Sequence, residues 1–264
     1  MKERVSKIKN QKELGVSIRS AVQDQGGWDF FLKKGDRVFL KPNFNTADVY
    51  PGSTDMLFLK EVVRQVLEQQ PREVLIGASS TMLAKTEDVL IDLGVYELED
   101  LDPKVKVLNL DRGSWVKKKV PQGRYLKNVS LAGPLEKADK LIFLPCLKTH
   151  FLSQYTGALK LAVGLMRPRE RLSLHARHLQ EKIAELNSII KPDLVVMDAR
   201  VCFISRGPMK GPTRRPELIL ASTKRTALDL EGVKIIQDYK ENSLSDVKAR
   251  EIPQIKRALE LGIE

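Results

Sequence analysis

KLIFLP, residues 140–145, decides the fold class. Four consecutive apolar residues, Leu141 to Leu144, stand between Lys140 and Pro145. A continuous apolar run of this length reads as a strand buried on both faces. DLVVMD at 193–198 and ELILA at 217–221 repeat the pattern, and the three are expected as central strands of one sheet. Working outward, DRVFLK at 36–41 and EVLIGA at 73–78 flank a segment, 55–69, in which Leu57, Val62, Val63, Val66 and Leu67 recur at helical spacing. Ser53 or Thr54 is a natural N-cap for it. A strand–helix–strand unit is the mark of a parallel sheet. The expected fold is therefore α/β, a mainly parallel, open twisted sheet with helices on both faces.

The rest of the chain supplies the covering layers. Helices are expected over 15–32, interrupted at Gly26-Gly27, and over 86–93, stopped by Gly94. Others are expected over 154–165, 176–190, 225–239 and 252–261. Residues 105–110 read as a further strand, and 115–129 as a loop or hairpin near a sheet edge. The segment 200–216, with Gly207, Pro208, Gly211, Pro212 and Pro216, resembles a linker. The strands flanking it look like parts of one sheet, so residues 1–264 are expected to form a single α/β domain.

Composition bounds the function. With 264 residues, 42% hydrophobic and 30% charged, the chain is an ordinary globular one. Its two cysteines, Cys146 and Cys202, lie far apart and outside any C-x-x-C pair. They cannot furnish the four ligands of a structural zinc or iron–sulfur site, so no iron–sulfur cluster is expected from this chain alone, and no metal. Its cofactor is unassigned. Few cysteines, a charged stretch at 1–10 and no run of about 18 apolar residues lead to the expectation of a cytoplasmic protein without a membrane partner. Of the net charge of +11, residues 144–225 carry +9, from 15 Lys/Arg and 6 Asp/Glu. That excess is either a solvated basic face or a field focused on an anionic ligand. Nucleic acid is the less favoured anion, because no zinc-finger or RNP motif is present.

Polar residues collect where the expected strands end: Lys41-Pro42-Asn43, Ser79-Ser80-Thr81, Lys148-Thr149-His150, Asp198-Ala199-Arg200, and Ser222-Thr223. In open parallel sheets ligands bind at the carboxyl edge of the strands. A shared edge would gather these groups into one site. The fingerprints of P-loop NTPases, dinucleotide-binding enzymes, serine hydrolases and zincins are all missing.

Taken in order, KPN at 41–43, the ST-D turn at 53–55, LPCLKTH at 144–150, TGALK at 156–160 with Gly164-Leu165, MDA at 197–199, GPMKG at 207–211 and ILAS…ALD at 219–229 are similar to the domain-of-unknown-function 362 family. Many relatives in that family carry an added ferredoxin-like module with cysteine-ligated clusters, which this chain does not have. The resemblance therefore implies a redox protein as a partner more readily than electron transfer by the chain itself. It also draws Lys160 into the site, where the sequence alone would leave a solvated helix lysine. Three positions depart from the family pattern: Leu161 in place of Asn, Ala199 in place of Gly, and Lys224 in place of Asp.

Each candidate carries a plain alternative. Lys148, Thr149 and His150 either bind and protonate a ligand or cap a strand-end loop. Asn43 either meets the ligand or caps its own loop. Asp198 is a general base, a metal ligand, or a helix or turn cap, and Asp229 a paired structural carboxylate. His175 and His178, three apart, would share a helix face, read as a basic surface sooner than a metal pair. The leading expectation is an enzyme acting on a small anionic substrate, phosphorylated or carboxylated. Lys41, Asn43, Thr149, Lys160, Gly207, Gly211 and Ser222 would bind it, with Lys148, His150 and Asp198 catalytic. The alternatives are a non-catalytic module binding a ligand or a redox protein, and nucleic-acid binding through 144–225.

Overall fold

The computed structural model of the chain describes residues 5–264. The charged stretch read at 1–10 thus lies partly outside the described residues, and its second half forms a strand.

Twelve strands are present among the described residues. They are β1 (Ser6–Lys9), β2 (Arg37–Pro42), β3 (Glu73–Ala78), β4 (Val105–Asn109), β5 (Trp115–Lys119), β6 (Asn128–Ala132), β7 (Lys140–Leu144), β8 (Cys146–His150), β9 (Gln154–Thr156), β10 (Leu194–Phe203), β11 (Thr213–Arg214) and β12 (Leu218–Ser222). The main sheet runs β1-β12-β10-β7-β2-β3-β4, and β5 pairs β6 in a separate ribbon. All pairings from β10 through β7, β2 and β3 to β4 are parallel. β12 and β1 are antiparallel additions at one side.

The helices are α1 (Leu14–Gln23), α2 (Trp28–Phe31), α3 (Met56–Leu67), α4 (Thr86–Asp92), α5 (Ala158–Leu161), α6 (Pro168–Ala176), α7 (Leu179–Leu186), α8 (Arg225–Gln237) and α9 (Pro253–Glu260). They cover both faces. Val38 and Leu40 of β2, Ile142 and Leu144 of β7, and Val196 of β10 pack in one layer with Phe58, Val62 and Val66 of α3. Phe39, Phe143 and Met197, one residue out of phase, pack in the other with Ile183 of α7 and Val233 of α8. Two-residue alternation with both faces apolar is what makes KLIFLP and DLVVMD continuous apolar runs. Asp55 caps α3, its carboxylate accepting from Phe58 N at 2.9 Å, one residue later than the expected cap.

Three expectations change. ELILA is not central: it lies second from the edge and antiparallel to β10. Apolarity reports burial on both faces but not strand direction. The strand begun by KLIFLP does not end in a loop at Lys148. It breaks at Pro145, continues as β8 along β10, and turns back as β9. The helix expected over 154–165 is accordingly β9 followed by α5 and a short 3-10 turn, and that over 176–190 is shortened to α7, while α6, which ends at Ala176 before the extended backbone of Arg177, was not expected. No helix among the described residues is long and apolar enough to cross a membrane.

Candidate functional site

At the carboxyl edge of β2 and β3, beside β8, lies a cavity of about 530 Å³. Its lining takes Lys41 from the end of β2, Lys148 and His150 from β8, Thr156 from β9, Lys160 from α5, and buried Arg171 with exposed His175 from α6. No carboxylate is among the described residues that line it.

Lys41 follows Phe39 on the same face of β2 but sits beyond the apolar layer, almost wholly buried. Its ammonium donates to Pro42 O at 2.7 Å. A Cβ at Gly164 would come within 2.9 Å of Lys41 Cε, so the missing side chain at 164 makes room for the lysine. Burial, then the Arg171 charge, pulls the Lys41 amine down to about 7. Lys148 is equally buried and donates to the carbonyls of Pro51 (3.2 Å) and Gly52 (2.5 Å). It braces the 43–55 loop as well as charging the cavity. Lys160 differs: among the described residues nothing hydrogen-bonds its ammonium. Burial, followed by Lys148 and Arg171, brings it to about 8.

Arg171 meets carbonyls of Ser79 (3.3 Å), Ser80 (2.7 Å), Gly164 (3.4 Å) and Met166 (2.7 Å) and the hydroxyl of Ser79 (2.5 Å). The guanidinium's direct acceptors are all neutral, and the nearest opposing charge, Asp111, stands behind the Ser79 hydroxyl, outside the cavity lining. His150 Nδ1 accepts the backbone N–H of Leu152 (3.0 Å) and Ser153 (3.3 Å). Burial, then Lys160 and Lys148, hold this ring at about 2, so near neutrality it is uncharged with its proton on Nε2. His150 is therefore a fixed N–H donor, where a proton carrier was expected. His175 has the opposite tautomer: its Nδ1 donates to Arg171 O at 2.6 Å, which leaves Nε2 as an acceptor in the neutral ring. Thr156 Oγ1 is buried in the cavity wall with no partner.

The sequence-derived candidates divide. Lys41, Asn43, Lys148, His150 and Lys160 come together around the cavity. Asn43 Nδ2 donates to Gly52 O at 3.1 Å. Thr149, Gly207 and Gly211 stand behind it. Thr149 Oγ1 accepts from Gly207 N at 3.3 Å. A Cβ on Gly207 would lie 2.2 Å from Thr149 O, and one on Gly211 2.1 Å from Ser205 O. Gly207 lets the loop pack on β8 and Gly211 lets it fold back on Ser205, carrying Pro208 and Met209 to the cavity mouth. Asp198 is fully buried outside the cavity, paired with Arg200 at 2.6 Å and accepting from Tyr50 Oη at 2.7 Å. Arg200 also reaches Asp55 at 2.8 Å, so the group ties β10 to the 43–55 loop. Ser222 is displaced to the opposite edge, because antiparallel β12 ends beside Val195 at the start of β10.

Asp229 caps α5, accepting from Ala158 N (2.6 Å) and Leu159 N (3.0 Å), and so sets the turn that presents Lys160. His175 and His178 do not share a helix: His178 stacks on Tyr125 with ring centroids 3.9 Å apart. No group of three or more potential metal ligands occurs among the described residues. Both thiols are buried and raised by that burial, Cys146 to about 11 and Cys202 to about 12. Sequence reasoning missed Arg171, Thr156 and the role of His175. The signal for the first and last was their i, i+4 spacing, which places both on one helix face.

A thylakoid-associated protein, sll1697, of Synechocystis is 28% identical over 241 residues, covering 84% of this chain and 70% of the relative. The lactate racemase apoprotein of Thermoanaerobacterium thermosaccharolyticum aligns over 87% of this chain at 14% identity with a TM-score of 0.48. The chain spans 57% of that protein's length. The family described as "Domain of unknown function (DUF362)" matches residues 38–234, from β2 into α8 and across every wall of the cavity. The chain belongs to the DUF362 family.

Proposed function

We propose that this protein is an enzyme acting on a small anionic substrate, phosphorylated or carboxylated, held in the cavity at the carboxyl edge of the parallel strands. One observation carries the reading. Lys41, Lys148, Lys160 and Arg171 converge on one cavity whose described lining residues include no carboxylate. Asp111 acts on Arg171 and Asp48 on Lys148, each from outside the lining; cations desolvated together with no carboxylate in the cavity itself are held at a cost that a bound anion relieves. Lys160, unpaired, meets the anion directly. Lys148 and Lys41 lie beneath it, and Arg171 adds field from the wall. His150 donates through Nε2, and His175 Nε2 is the acceptor placed to take a proton from the substrate. We place this activity in the cytoplasm, a reading supported by the two free cysteines.

Calorimetric titration with inorganic phosphate at pH 7 tests the reading. Wild-type protein should bind, and Lys160→Met should bind at least about tenfold more weakly, the loss of one charge-assisted hydrogen bond. Lys210→Met, at an exposed position in the 207–211 loop outside the cavity lining, should bind as wild type. Equal losses in both variants would mean diffuse attraction to a basic surface and would end the reading. Specific binding with no turnover of phosphorylated or carboxylated compounds would favour the binding-module alternative.

A further inference from the structure

Six of the eleven large apolar side chains that stand exposed among the described residues line this one cavity: Met82, Leu83, Phe151, Leu152, Leu172 and Met209. They come from four separate segments: the loop after β3, the β8–β9 turn, α6 and the 207–211 loop. Single exposed apolar residues are ordinary and need no explanation. Four segments delivering them to one mouth is a different matter, because packing within the chain leaves between 43% and 96% of each exposed there. Leu83 is 96% exposed and Phe151 67%, whereas Lys41 and Lys148 at the floor are each 2% exposed. Polarity is thus graded along the cavity, with cations at the bottom and hydrocarbon at the rim.

A bare inorganic anion would use only the floor. An anion whose head reaches the lysines must lay the rest of its body against Phe151, Leu152 and Leu83. We infer that the ligand is a monomeric amphiphile, with one phosphate or carboxylate head seated at Lys160 and Lys148 and an aliphatic or aromatic body on the rim. The inference rests on the anion reading above and adds the other half of the ligand. A flat bilayer is the poorer occupant, since headgroups held in a plane across the mouth do not reach lysines that are 2% exposed.

The test is a calorimetric series on the full chain with n-alkyl phosphates from methyl to octyl, kept below their micellar concentrations. Inorganic phosphate, octanoate and octanol complete it. Affinity should rise about two- to fourfold per added methylene until the rim is spanned, as expected for burial of CH₂ groups. Octanoate should bind if the head site accepts a carboxylate, and octanol should not bind. Leu83→Ser should reduce the slope of the series. Phe151→Ser with Leu152→Ser should flatten it, and Leu83→Ser carries the test alone if the double variant fails to fold. Octyl phosphate binding no better than methyl phosphate would overturn the inference and leave the small-anion reading standing. No binding of any phosphate, inorganic phosphate included, would remove the underlying reading instead. Binding confined to phosphatidic acid vesicles would also overturn the inference. So would a flat series with self-association that the rim variants abolish, since the rim would then be a surface for a membrane or a second copy.

Discussion

Lys41→Met should make the protein more stable while removing anion binding, and the size of the effect follows from the burial of that lysine. An unfolded lysine titrates near 10.5, whereas in the fold Lys41 titrates near 7 because it is buried beside Arg171. Between those values the unfolded chain holds a proton that the folded chain has lost, so stability rises with pH across the window. Each pH unit fully inside the window contributes about 1.4 kcal/mol. From pH 6 to pH 10 the contribution of Lys41 comes to about 4 kcal/mol. Below pH 7 the fold carries a buried ammonium whose one hydrogen bond is to Pro42 O. Methionine fits a similar volume with no charge to desolvate. The variant should therefore be more stable than wild type by on the order of 4 kcal/mol at pH 6, converging to within about 1 kcal/mol at pH 10. Urea unfolding followed by fluorescence of buried Trp28, in buffers free of phosphate and carboxylate, measures both ends. A variant no more stable than wild type at pH 6, with the same dependence on pH, would refute the reasoning. It would mean that Lys41 is solvated or paired.

Sulfate keeps its charge across the neutral range, so its affinity reports on the protein. It should fall as pH rises from 6 to 9, because Lys41 near 7 and Lys160 near 8 lose their protons there. A flat titration profile would place the anion elsewhere. Asp198→Asn removes the partner of Arg200 and weakens the Tyr50 contact, and should cost roughly 2–4 kcal/mol in urea unfolding. An unchanged midpoint would show the pair to be dispensable. Gly207→Ala drives a Cβ against the carbonyl of Thr149 and should cost roughly 1–3 kcal/mol, seen as a lowered melting temperature. A neutral outcome would mean that the 207–211 loop does not pack tightly on β8.

Most of the fold was legible because burial on both faces leaves a trace in consecutive residues. KLIFLP and DLVVMD announce central strands, and EVLIGA matches β3 residue for residue. Direction leaves no such trace, so antiparallel β12 looked like its parallel neighbours and Ser222 was expected at the wrong edge. β1 was lost because SKIK is short and charged on its outer side. Within the site, Lys41, Lys148 and Lys160 were readable as strand-end or family-matched cations. Their burial was not, since it depends on Gly164 and on the 43–55 loop folding over them. Asp198 looks like a strand-end acid in sequence. Arg200, two residues on along the bulged β10, claims it instead. The apolar rim was illegible for a similar reason: nothing in the sequence separates Phe151-Leu152 and Met82-Leu83 from core residues, and only the turns that carry them show them exposed.

The central claim is that a single anion sits on the lysines of this cavity. Anomalous diffraction at the selenium edge from a crystal soaked in selenate tests it most directly. A peak is expected with selenate oxygens about 3 Å from Lys160 Nζ, near Lys148 and His150 Nε2, the distance of charge-assisted hydrogen bonds. Selenate found only on the exposed basic residues of 144–225, with none in the cavity, would contradict it.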